Sequence, residues 1–302
     1  MKPTRYRVYL LLALVVAFGG LGGVIAADWS PRLGLDLEGG VSIILTATGE
    51  GVNEPGVMDQ TVEIIRQRID ALGVAEPEVT RAGTNNILVQ LPGIENEEQA
   101  VRLIGSTAQL TFRQVEAMYQ AGDKKAPEIT EEKGPEARDQ TVVYPSDQPG
   151  ERGVLYELKP AVLDGDVVTR AEAVIVDPTV GNDWTVAIRM DEDGSQRWAD
   201  FTSDMACLRD KGEQIKSQVA IVLDGRVESA AGMQQPGAGG PDDPGVECGT
   251  GIAGGETSID VGTEAEAKNL ALVLRTGALP VTLEQSEVSK VSPTLGRDSL
   301  QA

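Results

Sequence analysis

Three arrangements in this chain could carry chemistry, and spacing decides how far each goes. In RLGLDLEGG (32–40), Asp36 and Glu38 stand two apart, so an extended backbone puts both carboxylates on one face. Such a pair could act as general acid and base across a sugar. Aromatic residues, which would wall a sugar cleft, make up only 4% of the chain, and the glycines Gly34, Gly39 and Gly40 ask instead for tight backbone geometry. GTGIAGG holds a formal G-x-G-x-x-G at Gly249, Gly251 and Gly254. A dinucleotide site needs a strand before it and a helix opening at the third glycine, whereas here a Pro-rich loop precedes and a short strand follows, so it reads as a turn. Asp191-Glu192-Asp193-Gly194 begins like a calcium loop, but the twelfth position is Thr202 where a glutamate should close it. It reads as a turn into a helix.

Histidine is absent from all 302 residues, which removes Ser-His-Asp and Cys-His catalysis and His-ligated zinc. The chain is therefore expected to be no enzyme, with no catalytic residue, metal or cofactor. Its net charge of −21 repels phosphate backbones, so nucleic acid is not an expected partner.

The elements that position these residues begin with an uncharged run. Lys2, Arg5 and Arg7 precede Val8 to Ala27, and every acidic residue follows it. Twenty apolar residues rising about 1.5 Å each span roughly 30 Å, the thickness of a bilayer core. The flanking charges place residues 1–7 in the cytoplasm and everything after Ala27 outside. A cleaved signal peptide ending near Val24-Ile25-Ala26 is the alternative, although its apolar core would be shorter. Gly19 and Gly23 could let a second membrane helix approach. Outside, the even count of two cysteines, Cys207 and Cys248, suits a disulfide, and two separate thiols are the alternative.

Val41 to Thr48 is β-branched and apolar, a buried-strand pattern. Met58, Val62, Ile65, Ile69 and Leu72 share one helix face closed at Gly73. Residues 78–91 read as a hairpin turning at 83–86, Asn96 and Gln99 as a helix start, and 109–115 as a strand. This is a strand–helix–strand–helix–strand layer, ferredoxin-like in plan. Residues 119–153 are charged and Pro-bearing, a flexible insertion by composition. A second α+β unit follows, with strands at 174–177 and 184–190 and a helix bearing Trp198, Phe201, Met205 and Leu208. Its hairpin AIVLDGRV turns on Asp224-Gly225. Thr263 and Glu266 open a last helix with Leu270, Val273 and Leu274 on one face, closed by Gly277.

Five stretches, in order, resemble the SecD family of bacterial Sec translocase subunits: RLGLDLEGGVSIIL, IIRQRIDALGVAEPEV with ILVQLPG, AIVLDGRV, ALVLRTGALPVTLE and VSPTLGRDSL. The resemblance implies an amino-terminal transmembrane helix and a ferredoxin-like base carrying an inserted α+β head. Divided on that plan, 1–7 is cytoplasmic, 8–27 spans the membrane, and 28–116 is the first part of the base. Residues 117–153 are the flexible insertion, 154–248 the head and 249–302 the rest of the base, ending before the family's next membrane helix. The implied family motif is structural: Leu33, Gly34, Leu35, Asp36, Leu37, Glu38, Gly39 and Gly40, with Gln90, Leu91, Pro92 and Gly93. It continues through Leu274, Arg275, Gly277, Ala278, Leu279 and Pro280 to Pro293, Thr294, Leu295 and Gly296.

The resemblance further implies a plasma-membrane subunit working with SecF beside the SecYEG channel. The pair would use the proton gradient to finish preprotein export after the ATP-driven SecA step. The helices that would carry proton coupling are not in this sequence. A stand-alone, membrane-anchored binding domain is the alternative. An unfolded preprotein would be gripped by a shallow apolar groove or an open strand edge, with Val174, Ile175, Val176, Trp184, Trp198 and Phe201 as candidates.

Overall fold

The computed structural model describes residues 39–74, 77–94, 97–132, 137–148, 150–175, 184–238, 245–261 and 263–291, together with Tyr9, Ala13 and Leu14. The expected membrane segment 8–27, the motif residues Leu33 to Glu38 and Pro293 to Gly296, and Val176 otherwise lie outside these residues. No helix of the described residues is long and apolar enough to cross a membrane.

Alternation fixes the first strand. In β1 (Gly40–Thr48) Val41, Ile43, Leu45 and Ala47 are buried, while Ser42, Ile44, Thr46 and Thr48 face the other side half-buried. Helix α1 (Val57–Ala71) lays Met58, Ile65 and Ile69 on that buried face. The hairpin of β2 (Glu78–Arg81) and β3 (Asn86–Pro92) follows, then α2 (Glu97–Gly105) with Ala100 and Ile104 on the same core. The strand completing this sheet is β12 (Thr282–Val291). The sheet order is β12-β1-β3-β2 with all pairs antiparallel, the split β-α-β-β-α-β arrangement. Its last strand therefore comes from the far end of the chain and not from residues 109–115.

That nearer strand, β4 (Leu110–Tyr119), serves a second unit. Leu110 and Phe112 face one core while Val115 faces another, which suits the centre of a sheet. β4 lies between β6 (Leu155–Asp164) and β9 (Gln218–Leu223), with β10 (Arg226–Gly232) and β5 (Val142–Pro145) at the edges. A smaller sheet has the order β11-β8-β7, from β7 (Val168–Ile175), β8 (Trp184–Met190) and β11 (Glu256–Val261). Between the sheets packs α3 (Glu192–Asp210), with Trp198, Phe201 and Met205 in one core with Phe112 and Ile221.

Two sequence expectations change here. The stretch 117–153 contains β5, because Val142, Val143 and Tyr144 are buried and the side chain of Arg113, only 1% exposed, gathers the backbone beside them. Its guanidinium donates to the carbonyls of Ala137 (2.8 Å), Gln140 (3.0 Å) and Lys159 (3.0 Å). Likewise β11 and α4 (Glu264–Thr276) do not extend the first sheet's layer. Ala267, Ala271 and Leu274 of α4 share a core with Ala171 of β7 and Trp198, the small alanines allowing close helix–strand approach. The inserted unit thus runs from about residue 107 to 278 inside the split one. The turn at Asp224 (φ 49°) and Gly225 (φ 76°) has the left-handed pair that a two-residue hairpin needs. The Thr263 hydroxyl caps α4, accepting from the Glu266 N–H at 3.2 Å.

GTGIAGG is a packed loop lying on α3. A Cβ on Gly251 would sit 1.9 Å from the Ala199 carbonyl oxygen, and one on Gly255 would sit 2.0 Å from Ser195 Oγ. The Ile252 N–H donates to Thr202 Oγ1 at 2.8 Å and the Gly249 N–H to Ser203 Oγ at 2.7 Å. Cys207 of α3 is bridged to Cys248 in this loop across 41 residues, a closure worth about 4 kcal/mol in the chain-entropy account. The glycines therefore serve close approach. Gly251→Ala should cost about 3–5 kcal/mol in urea unfolding, since backbone must move and φ is +66°. Gly249→Ala, with nothing within 4 Å, should cost only about 1 kcal/mol for its positive φ.

Candidate functional site at the crossing between the two units

The chain passes between the units twice, outward through 105–109 and back through 277–281. Arg68 of α1 stands where both passages meet, its side chain fully buried. Its position follows from helix period: it falls three after Ile65 and beside Ile69, on the apolar face of α1. Nη1 donates to the carbonyls of Leu103 and Ile104, each at 3.3 Å, and of Ser106 at the end of α2. Nη2 donates to the Gly277 carbonyl at 2.9 Å and Nε to Thr276 Oγ1 at 3.2 Å, both at the end of α4. Carbonyls at helix C-termini carry partial negative charge, so one cation holds two helix ends. Burial pushes the Arg68 pKa down to about 10, against which the Asp224 carboxylate holds it up. It stays a cation at neutral pH.

From the other side comes Asp224, at the β9–β10 turn of the inserted unit. Its carboxylate accepts from the Thr107 hydroxyl (2.7 Å), the Gln109 N–H (2.9 Å) and the Ala108 N–H (3.2 Å). The two passages also bind each other: the Leu279 N–H donates to the Thr107 carbonyl at 2.8 Å, and Gln109 Nε2 to the Leu279 carbonyl at 3.1 Å. A small apolar cluster of Leu103, Ala108, Leu272 and Val273 backs the bonds. Ala108 (φ 58°) and Asp224 (φ 49°) are the only non-glycine residues with positive φ among those described. Both lie in this crossing, and the Ala108 N–H donates to the Asp224 carboxylate. Beside the joint, Gln60 and Pro280 of the split unit face Arg113, Asp164 and Gly225 of the inserted unit across a cleft of about 240 Å³. The geometry is that of a joint between two units: two short connections, one polar knot, and a gap next to it.

Several motif residues gather here and others do not. Gly277 (φ 84°) ends α4 and Leu279 is fully buried, while Leu274 belongs to the inserted core. Gly39 (φ 78°) and Gly93 (φ 71°) close β1 onto β3 through the Gly93 N–H to the Gly39 carbonyl, 2.9 Å. Gly40 pairs with Pro92 and Ser42 with Gln90, so this part of the motif shapes a sheet corner. Arg275 is exposed. The preprotein candidates separate. Trp198 (3% exposed) and Phe201 (5%) are core residues in edge-to-face contact at 6.2 Å, and this corrects their assignment to a binding surface. Trp184 is half-buried against the same core, Ile175 is half-buried, and Val174 is 36% exposed. Arg68 and Asp224 are the residues that motif reading passed over. An arginine on the apolar face of α1 was the available signal for the first.

Family models match along the chain in order. That of the amino-terminal part of the P1 domain of protein translocase subunit SecDF covers residues 58–117, and that of the SecDF P1 head subdomain covers 140–281. SecD of Magnetococcus marinus is 36% identical over 80% of this chain and 41% of its own length. SecD of Acidaminococcus fermentans is 30% identical over 97% of this chain and 54% of its own. The chain thus spans about half the length of these relatives. A crystal structure of SecDF in a super-membrane-facing form aligns with TM-score 0.59 and 29% identity, over 98% of this chain and 37% of that one. A second SecDF structure, described as a membrane component that enhances protein export, aligns with TM-score 0.54 and 28% identity, covering 82% and 98%.

Arg68→Met should destabilise by about 3–5 kcal/mol, because it strands carbonyls on both passages. Asp224→Asn, which tolerates the turn and keeps an acceptor, should cost about 1–2 kcal/mol. Both should speed hydrogen exchange at the Leu279 amide before the core of either unit responds; unchanged exchange there would rule out the joint. A pH dependence follows from Glu228, at the bulge of β10. Burial first, then the Asp147 carboxylate, push its pKa up to about 7 from a usual 4.5. Because the folded value is the higher one, its contribution is complete below about pH 4.5 and is lost as pH rises through 7. Glu228→Gln should therefore melt above the parent protein at pH 8, with the gap closing by pH 5.

Proposed function

The chain belongs to the SecD family of protein translocase subunits, and on that premise we propose that it works in export as a membrane-held receptor for the emerging preprotein. In this reading the run 8–27 is an anchor in the plasma membrane with residues 1–7 in the cytoplasm, and the domain after it stands outside. The split unit is the base, set next to the membrane because β1 begins soon after the anchor. The inserted unit is the head. SecF and the SecYEG channel are its partners, SecA hands over the substrate, and proton movement through further membrane helices drives the step. The chain makes and breaks no covalent bond.

One observation carries this reading: a unit matching the SecDF P1 head hangs from a ferredoxin-like sheet by two passages tied at Arg68 and Asp224. A broad apolar interface would weld the units together. Among the described residues, a cluster of four buried side chains and a polar knot join them beside an open cleft, and this supports a head that pivots while the base stays put. A pivoting head can take a segment of chain and move with it.

Co-isolation tests the proposal. Residues 1–302 are expressed in a bacterial membrane with tagged SecF and SecYEG, then solubilised and pulled down. SecF should be recovered with the chain. If inserted, folded protein brings down neither partner, the stand-alone anchored binding domain becomes the better account.

A further inference from the structure

The disulfide of the inserted unit has one end outside and one end inside. Cys248 is exposed, whereas Cys207 is half-buried in the last turn of α3, between buried Ala206 and buried Arg209. The backbone on the two sides of Cys248 is held by different means. Residues 249–255 have anchors of their own, the Ile252 N–H on Thr202 Oγ1 and the Gly251 backbone against Ala199. On the other side, Val246 is buried yet belongs to none of the apolar cores. Among the described residues its backbone has two hydrogen bonds. Its N–H donates to the Gln234 carbonyl at 2.9 Å, and its carbonyl accepts from Arg209 Nη1 at 2.8 Å. That same nitrogen also reaches the carbonyls of Gln234 (2.6 Å) and Met233 (3.3 Å), so one donor is divided among three acceptors. The covalent tie two residues along keeps Val246 in its reach.

We propose that Cys207–Cys248 is a reversible lock, opened and closed at Cys248 by thiol–disulfide exchange with a protein dithiol, and that it sets whether Val246 stays fixed on α3. The chain is the substrate of this exchange and not its catalyst. The inference goes beyond the receptor reading and takes from it only the position outside the cytoplasm, where disulfides form and persist. Access chooses the sulfur that is struck. The attacking thiolate must come in line with the bond it breaks, on the far side of the sulfur it meets. For Cys248 that far side faces away from α3, at an exposed residue; for Cys207 it is the side of the helix itself.

In opening, the partner's thiolate bonds to Cys248 Sγ, and Cys207 leaves as a thiolate and takes a proton from water. The partner's second thiolate then attacks its own sulfur in the mixed disulfide, and Cys248 leaves and is protonated. The chain gains two electrons and two protons, and the partner dithiol becomes a disulfide; closing is the reverse. Charge selects the partner. Exposed Glu247 adjoins Cys248, and exposed Asp204 precedes Cys207 by one helix turn; Lys211 opposes them, and Asp210 is already paired with Arg209. On a chain of net charge −21, small anionic thiols such as glutathione are repelled, whereas a protein can bring its thiol in a neutral or basic surface. Neither cysteine belongs to an apolar core, so opening frees the tie at Val246 and leaves both units folded.

Trapping and hydrogen exchange on the full chain in detergent micelles test the lock. The trap is a thioredoxin whose second active-site cysteine is serine, so that its mixed disulfide persists. Peptide mapping should place it on Cys248 at least tenfold more often than on Cys207. Reduced glutathione at equal thiolate concentration should open the bond at least tenfold more slowly, with the gap narrowing at 1 M salt. In the reduced chain the Val246 amide should exchange at least tenfold faster, while the amides of Ile252 and Ile221 keep their rates. Cys248→Ser, unlocked without any reductant, should show the same pattern. Adducts mainly on Cys207 would overturn the entry point, and opening by glutathione at the same rate would overturn the protein partner. Faster exchange at Ile221 together with Val246, or no change at Val246, would overturn the lock and leave the disulfide a static brace.

Discussion

A guanidinium buried without a carboxylate in contact must find acceptors elsewhere, and carbonyls at the ends of helices and loops are the acceptors a protein has spare. Arg68 satisfies that demand at the meeting point of α2, α4 and the two passages, and the rest of the architecture depends on it. Without it, the split sheet and the inserted unit would be joined by a few apolar side chains and the two bonds between Leu279 and the 107–109 passage. Arg113 repeats the device within the inserted unit, gathering 137–140 onto the large sheet, and Arg209, which also pairs with Asp210, ties the carbonyls of Gln234 and Val246 to α3. In each place irregular backbone is held by a cation, where a chain with so few aromatic residues has little apolar bulk to hold it. Arginine suits the task because its planar fork reaches several carbonyls at once and resists losing its proton even when buried.

What could be read beforehand follows from range. Period-two and period-3.6 patterns depend on neighbours in sequence, so β1, α1, the β2–β3 hairpin and the Asp224-Gly225 turn were legible from local signals. The partner of a strand is not local. Residues 110–119 are equally good as the last strand of the first sheet or the middle strand of the second, and only burial on both faces decides for the second. For the same reason α4 was placed with its neighbour in sequence, although its alanines fit β7. In 117–153, the charged composition outweighed the VVY triplet that inserts as β5. The site was less legible still. Family motifs marked Gly277 and Leu279, both in the joint, but gave no hint that Arg68 and Asp224 face each other across it. Trp198 and Phe201 illustrate the opposite error, since large apolar residues at helical spacing describe a core as well as a gripping surface.

Rigidity and freedom are distributed unevenly through the inserted unit. The disulfide, the Arg209 bonds and the glycine contacts of GTGIAGG all fasten one loop to one helix. The crossing has no covalent tie.

The first sheet is closed by strands that lie far apart in the chain, with Thr46 of β1 and Ser286 of β12 in contact at a sequence separation of 240. During synthesis this separation becomes a delay. β1, β2 and β3 can form early, but one edge of β1 then stays open while the whole inserted unit is made. The inserted unit has its own cores and can fold during that wait, bringing positions 105–109 and 277–281 together through Leu279 and Thr107. It thereby acts as the loop closure that delivers β12 to its place, lowering an entropic barrier that a slack chain of that length would face. The order of assembly that follows is inside out: the guest folds first, and the host is finished by the segment that emerges last among the strands.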